Sequence, residues 1–205
     1  MSLAFPVVGA LALGLVLGGR LGNLAELRLR ASWLFFVAIA LQVVAFPFAF
    51  LPWRMDAGVA SLLWLTSYGF LIVAAFVNRR ITGVPIVALG MCMNVAAIVA
   101  NGGTMPVSPS AMHDAGRTAV TQANSTVVAD PHLEWLIDRW AAPEWIPLAN
   151  VFSIGDLVIA AGAVVIVLYA MGVRTPRLLG GRDLQAYPLA SRVAPEALGD
   201  PGQHL

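Results

Sequence analysis

Residues 150–172, NVFSIGDLVIAAGAVVIVLYAMG, form an apolar run long enough to cross a bilayer, with one carboxylate, Asp156, just inside its start. In hydrocarbon the backbone must satisfy its own hydrogen bonds, so a lipid-embedded chain with runs of this kind folds as a helical bundle. A carboxylate inside such a run is costly, which makes Asp156 the first functional candidate. Four more runs reach the roughly 17–25 residues that a spanning helix needs. The five expected spans are 3–19, 32–51, 57–77, 81–100 and 152–172, and the first four hold no Asp, Glu, Lys, Arg or His. Gly14 and Gly18 of the first form a GxxxG pair that permits close helix approach.

Composition supports a membrane class. The chain is 59% hydrophobic and 11% charged, whereas soluble domains carry about 25% charged residues. A net charge of +1 and the absence of any basic block argue against nucleic acid as a partner. Cys92 is the single cysteine, so it has no partner for a disulfide or a thiolate metal site, and it reads as a small buried hydrophobe. His113, His132 and His204 are scattered, and no metal-ligand spacing appears. No phosphate loop, nucleophile elbow or zinc-protease motif is present, and no cofactor is expected.

The arginines set the orientation. Arg20, Arg28, Arg30, Arg79, Arg80, Arg174, Arg177, Arg182 and Arg192 fall on one side of the expected spans; Arg54, Arg117 and Arg139 fall on the other. Positive-inside placement puts the tail 174–205 in the cytoplasm and the N-terminus and loop 101–149 outside. The N-terminal run lacks the basic start of a signal peptide and is read as a retained span. The tail holds Pro176, Pro188, Pro195 and Pro201 without apolar periodicity, the pattern of a disordered segment. Within the loop, Asp130 and Pro131 read as a helix start. Leu133, Leu136, Ile137 and Trp140 then share one face, which predicts an amphipathic helix lying in the membrane interface. On that helix Asp138 faces water.

The polar residues divide into two groups. Asp156, with Ser153 or Asn150 as helix cap, can be an ordinary first-turn carboxylate or an acid–base group at the outer surface. Acid–base hydrolysis calls for a second acid, and Asp138 is the best placed by sequence. Asn94 and Asn101 are seven apart and share a helix face that runs to the Gly102-Gly103 exit. With Ser153 and His132 they are the candidate binding or cavity-lining residues, and no residue is a candidate metal ligand. Gln42 is expected to hydrogen-bond to a neighbouring helix.

GGRLGNLAELRLR, the ALQ of the second span, NGGTMPVSP and FSIGDLVIAAG, in that order, resemble an uncharacterised bacterial multi-pass membrane family, a domain of unknown function. The resemblance covers about residues 10–172 and brings no activity with it. WIPLANVFSIGDLVIAAGAVVIVL is similar over about thirty residues to the last span of lipoprotein signal peptidase (signal peptidase II), an aspartyl protease of the outer membrane face. Phe152 and Asp156 match that family's Phe-Asn-x-Ala-Asp motif, with Ser153 in place of Asn and Gly155 in place of Ala. LIDR, residues 136–139, also matches an Asn-Leu-Ile-Asp-Arg motif whose Asp is not catalytic in that family, and the family has four spans, so the two alignments conflict. The expectation is an all-α, five-span bundle in a bacterial plasma membrane with an interfacial helix in its last outer loop. Its role is binding or accessory, toward a membrane-protein or lipid-linked partner. The alternative is an intramembrane aspartyl hydrolase using Asp138 and Asp156.

Overall fold

The computed structural model describes residues 4–46, 53, 55–115, 125–128, 130–142 and 151–173. The fold is predominantly helical: α1 (Ala4–Val16), α2 (Trp33–Ala45), α3 (Ala57–Val77), α4 (Val84–Ala100), α5 (Pro109–Asp114) and α6 (Ile154–Ala170). The long helices pack in the order α1–α6–α4–α3–α2, so the last helix in the chain is inserted between the first and the fourth.

Local chemistry sets the helix ends. Asp56 caps α3 by accepting from the Gly58 and Val59 N–H groups. Gly83, at φ +96°, turns the chain into α4, with Pro85 in the first turn. Gly18 and Gly172, at φ +83° and +78°, close α1 and α6, and at each end the next N–H bonds back to the carbonyl five residues earlier. These stops make the helices shorter than the apolar runs: α1 and α2 have 13 residues each, α4 and α6 17 each. Among the described residues α3, with 21 residues, alone is long and apolar enough to cross a membrane. Gly18 lies beyond the end of α1 and only Gly14 contacts a neighbouring helix, against Met171 at the end of α6, so the GxxxG pair does not act as one helical motif.

The backbones of α4 and α6 approach each other closely. A Cβ on Gly90 would stand 2.6 Å from the Gly155 carbonyl oxygen, and one on Gly83 2.7 Å from that of Gly162. In the reverse direction a Cβ on Gly155 would stand 2.9 Å from the Gly90 carbonyl oxygen, and one on Gly162 3.0 Å from that of Gly83. Two glycine pairs seven residues apart, on antiparallel helices, therefore let the backbones touch. Between α3 and α2, Gln42 Nε2 donates to Ser67 Oγ at 3.0 Å, the interhelical bond expected of a half-buried amide in an apolar run. Trp64, Ala97, Ile98 and Met105 form a core between the first half of α3, the end of α4 and loop 101–149, covered by Leu136. Elsewhere large apolar side chains such as Phe36, Leu62, Phe76, Leu89 and Val99 point away from the protein.

The described part of loop 101–149 departs from expectation. There is no amphipathic helix: Leu133 adopts a left-handed conformation (φ 54°) and is followed by only a single 3-10 turn, Glu134–Leu136. The chain then runs extended. Asp138 N–H donates to the Pro106 carbonyl at 3.0 Å, and Ser108 N–H donates to the Asp138 carbonyl at 2.9 Å, beside β1 (Met105–Val107). On the other side Arg139 N–H donates to the Phe152 carbonyl at 3.2 Å, and β3 (Trp140–Ala141) pairs antiparallel with β4 (Val151–Phe152). β2 (Ser125–Val127) lies parallel to the free side of β1. Long-range pairing outweighed the helical periodicity. Cys92 is exposed on α4, not buried within the protein. The tail, Asn150, Pro47 and Trp145 lie outside the described residues.

Candidate functional site

Asn94 is the hub of a polar cluster where the C-terminal half of α4 meets the start of α6. Its Nδ2 donates to Asp156 Oδ1 at 2.9 Å, and its Oδ1 accepts from Ser153 Oγ at 2.9 Å. Asp156 N–H donates to Ser153 Oγ at 3.1 Å, and Ser153 N–H donates to Asp156 Oδ2 at 3.3 Å. That reciprocal pair is a capping box at the start of α6. Asn94 and Ser153 are buried, so each needs the other's hydrogen bond. The local sequence explains the fit: a Cβ at position 155 would overlap Asn94 Oδ1. Glycine there is what admits the Asn94 amide to the first turn of α6.

Asp138 reaches this cluster from the extended segment between β1 and β4. It is 4% exposed, the opposite of the water-facing position that an amphipathic helix predicts. Burial first, and the Asp156 charge second, push its carboxyl up from 3.8 to about 7. The two carboxylates predicted as a pair are thus brought into one electrostatic environment. Tyr68 of α3 belongs to the same electrostatic environment, with both carboxylates and the Asn94 side chain acting on it. In the sequence Tyr68 is one of three consecutive polar residues in the third apolar run. The signal was there in Thr66-Ser67-Tyr68, but choosing among three adjacent residues needs the helix rotation. Thr66 points outward and bonds its own helix at the Leu62 carbonyl, while Ser67 serves Gln42.

The remaining candidates lie apart from the carboxylates. Asn101 Nδ2 donates to the His132 carbonyl at 2.8 Å, and His132 N–H donates to Asn101 Oδ1 at 2.8 Å. The asparagine amide thus pairs with both backbone groups of one residue and fastens that part of loop 101–149 to the end of α4. The His132 residue itself is exposed. Gly102 and Gly103, at φ +74° and +93°, make the turn that leads into β1. These residues position Asp138 and do not line the cluster. Among the described residues no group of three or more His, Cys, Asp or Glu could hold a metal ion.

The arrangement can hold one proton on the buried Asp138 carboxyl beside a second carboxylate that accepts from Asn94 and Ser153. Comparison with known proteins yields no matching curated protein and no matching solved structure. It also gives no support for the local likeness to lipoprotein signal peptidase. A family profile does match, over residues 26–168, a range that contains the whole polar cluster. The chain belongs to the family of unknown function DUF5317.

Proposed function

We propose that this protein is a multi-pass plasma-membrane protein of bacteria whose outer face carries a two-carboxylate acid–base site that hydrolyses a membrane-held amide or ester. The membrane reading is supported by the outward-pointing apolar side chains, by α3, and by the arginine asymmetry. Five crossings with the N-terminus outside is the topology that fits these features, the shorter helices being accommodated by local bilayer thinning.

One observation carries the chemistry: Asp138 is buried against the Asp156 charge, with its carboxyl pushed up to about 7. In the proposed step a water oxygen attacks the substrate carbonyl carbon and loses a proton to Asp156. Asp138 gives its proton to the carbonyl oxygen. Collapse of the tetrahedral intermediate returns that proton to Asp138, while Asp156 passes its proton to the leaving nitrogen or oxygen. Asn94 and Ser153 orient Asp156. Because Asp138 must be protonated to act, turnover is expected to fall as pH rises through about 7. The binding or accessory reading is the weaker one, because Asn101, Gly102, Gly103 and His132 serve as scaffold for the loop.

The test is a comparison of membrane-anchored peptides and lipids in cells carrying the wild type, Asp138→Asn or Asp156→Asn. Both variants should accumulate the same uncleaved species at unchanged protein abundance. Normal abundance with no accumulating species in either variant sinks the hydrolase reading.

A further inference from the structure

Arg139, next to Asp138, has an environment that the carboxylate cluster does not explain. Its guanidinium lies 4.7 Å from the Trp135 ring centroid and 5.7 Å from that of Trp140, so two indoles hold the cation. Its Nη1 is the one buried side-chain nitrogen or oxygen among the described residues with no hydrogen-bond partner. Its Nη2 comes no closer than 3.8 Å to Glu134 Oε1, beyond hydrogen-bond range, and the Glu134 side chain is 65% exposed. A buried N–H left unpaired is destabilising, and such groups call for an acceptor. A guanidinium held flat with N–H groups to spare suits a phosphate or carboxylate better than a solvated surface role.

The flanking surface says where that acceptor comes from. Trp135 is 74% exposed and Leu133 half exposed; Trp135 lies in the 3-10 turn and Leu133 immediately precedes it. Exposed indole and leucine next to a cation match the boundary between acyl chains and headgroups. We infer that Arg139, caged by Trp135 and Trp140, binds the phosphodiester of an anionic glycerophospholipid, with Trp135 and Leu133 set in the acyl region beneath it. A small outward shift of Trp135, whose exposed ring contacts the guanidinium, opens Nη1 to the phosphate oxygens while Trp140 keeps its place. Glu134 competes for the same cation. The site holds a lipid at the backbone neighbour of Asp138. It rests on the membrane placement proposed above but requires no chemistry at the carboxylates.

The experiment uses the full chain solubilised in a neutral detergent, with bound lipid counted by native mass spectrometry. Phosphatidylglycerol, a diglucosyl diacylglycerol of the same acyl chains, and inorganic phosphate are titrated separately. The wild type should retain phosphatidylglycerol about tenfold better than the phosphate-free lipid, and Arg139→Gln should abolish that preference. Glu134→Gln, at an exposed side chain that leaves folding unchanged, should raise phosphatidylglycerol retention several-fold. Equal retention of both lipids by the wild type overturns the site, as does an unchanged or weakened preference in Glu134→Gln. Inorganic phosphate binding as tightly as the lipid also overturns it, since the apolar ledge would then contribute nothing. Loss of the protein from the membrane fraction of cells is a separate result that overturns the membrane placement itself. Intact hydrolysis with no lipid preference would leave the carboxylate proposal standing and remove this one.

Discussion

Burial and the adjacent Asp156 charge keep the Asp138 carboxyl protonated in the folded state up to about pH 7, whereas the unfolded chain releases that proton near 3.8. Between those values the folded state binds more protons, so stability falls as pH rises through the window. A shift of this size corresponds to about 4 kcal/mol once both states are ionised. Asp138→Asn removes the titration. Its thermal unfolding in detergent should be flat between pH 4 and 7, where the wild type loses stability; a parallel decline in both proteins would contradict the burial argument. Asn94 is the second residue of consequence. Asn94→Leu removes the hydrogen bond that Ser153 Oγ donates to Asn94 Oδ1 and the one that Asn94 Nδ2 donates to Asp156 Oδ1, and a cost of about 2–4 kcal/mol is expected for the two interactions lost. Denaturant unfolding measures it. A cost below 1 kcal/mol, on the scale of an exposed polar contact, would mean that water replaces Asn94 at once.

At the scale of elements, the α4–α6 pair is controlled by four glycines. Gly162→Ala inserts a methyl 2.7 Å from the Val87 backbone nitrogen, and Gly155→Ala inserts one into Asn94 Oδ1. Both should destabilise by about 1–3 kcal/mol through overpacking. Only Gly155→Ala should also change the pH dependence, since it displaces the hub of the polar cluster. Equal pH profiles for the two variants would show that the cluster tolerates the shift. The spacing Gly83–Gly90 and Gly155–Gly162 was readable in the sequence, but nothing local says that the two pairs meet. In loop 101–149, the apolar periodicity of Leu133, Leu136, Ile137 and Trp140 pointed to a helix that does not form. Three of these side chains find a place in extended geometry instead: Ile137 is buried, Leu136 packs on the Trp64–Ile98 core, and Trp140 stacks with Phe152, while Leu133 stays half exposed. A periodic pattern of four residues is compatible with either outcome, and β1 and β4 on its two sides decided it.

For the whole molecule, reporter fusions after residues 30, 80 and 174 should score cytoplasmic, and a fusion within 109–115 should score external. An external score at residue 80 would refute the five-crossing arrangement. The apolar runs, their arginine-marked ends and the caps at Asp56 and Ser153 follow from residues adjacent in the chain, because helix formation and capping act within about one turn. The same holds for Asp156 as the lone acid of its run. The meeting of Asp138, Asp156, Asn94 and Tyr68 does not follow from neighbours. It depends on α6 lying between α1 and α4 and on a loop strand held by Pro106 and Phe152. Burial of a carboxyl, and therefore its affinity for a proton, is a property of what surrounds it. Here the surroundings come from segments up to 88 residues apart in the chain, from Tyr68 to Asp156.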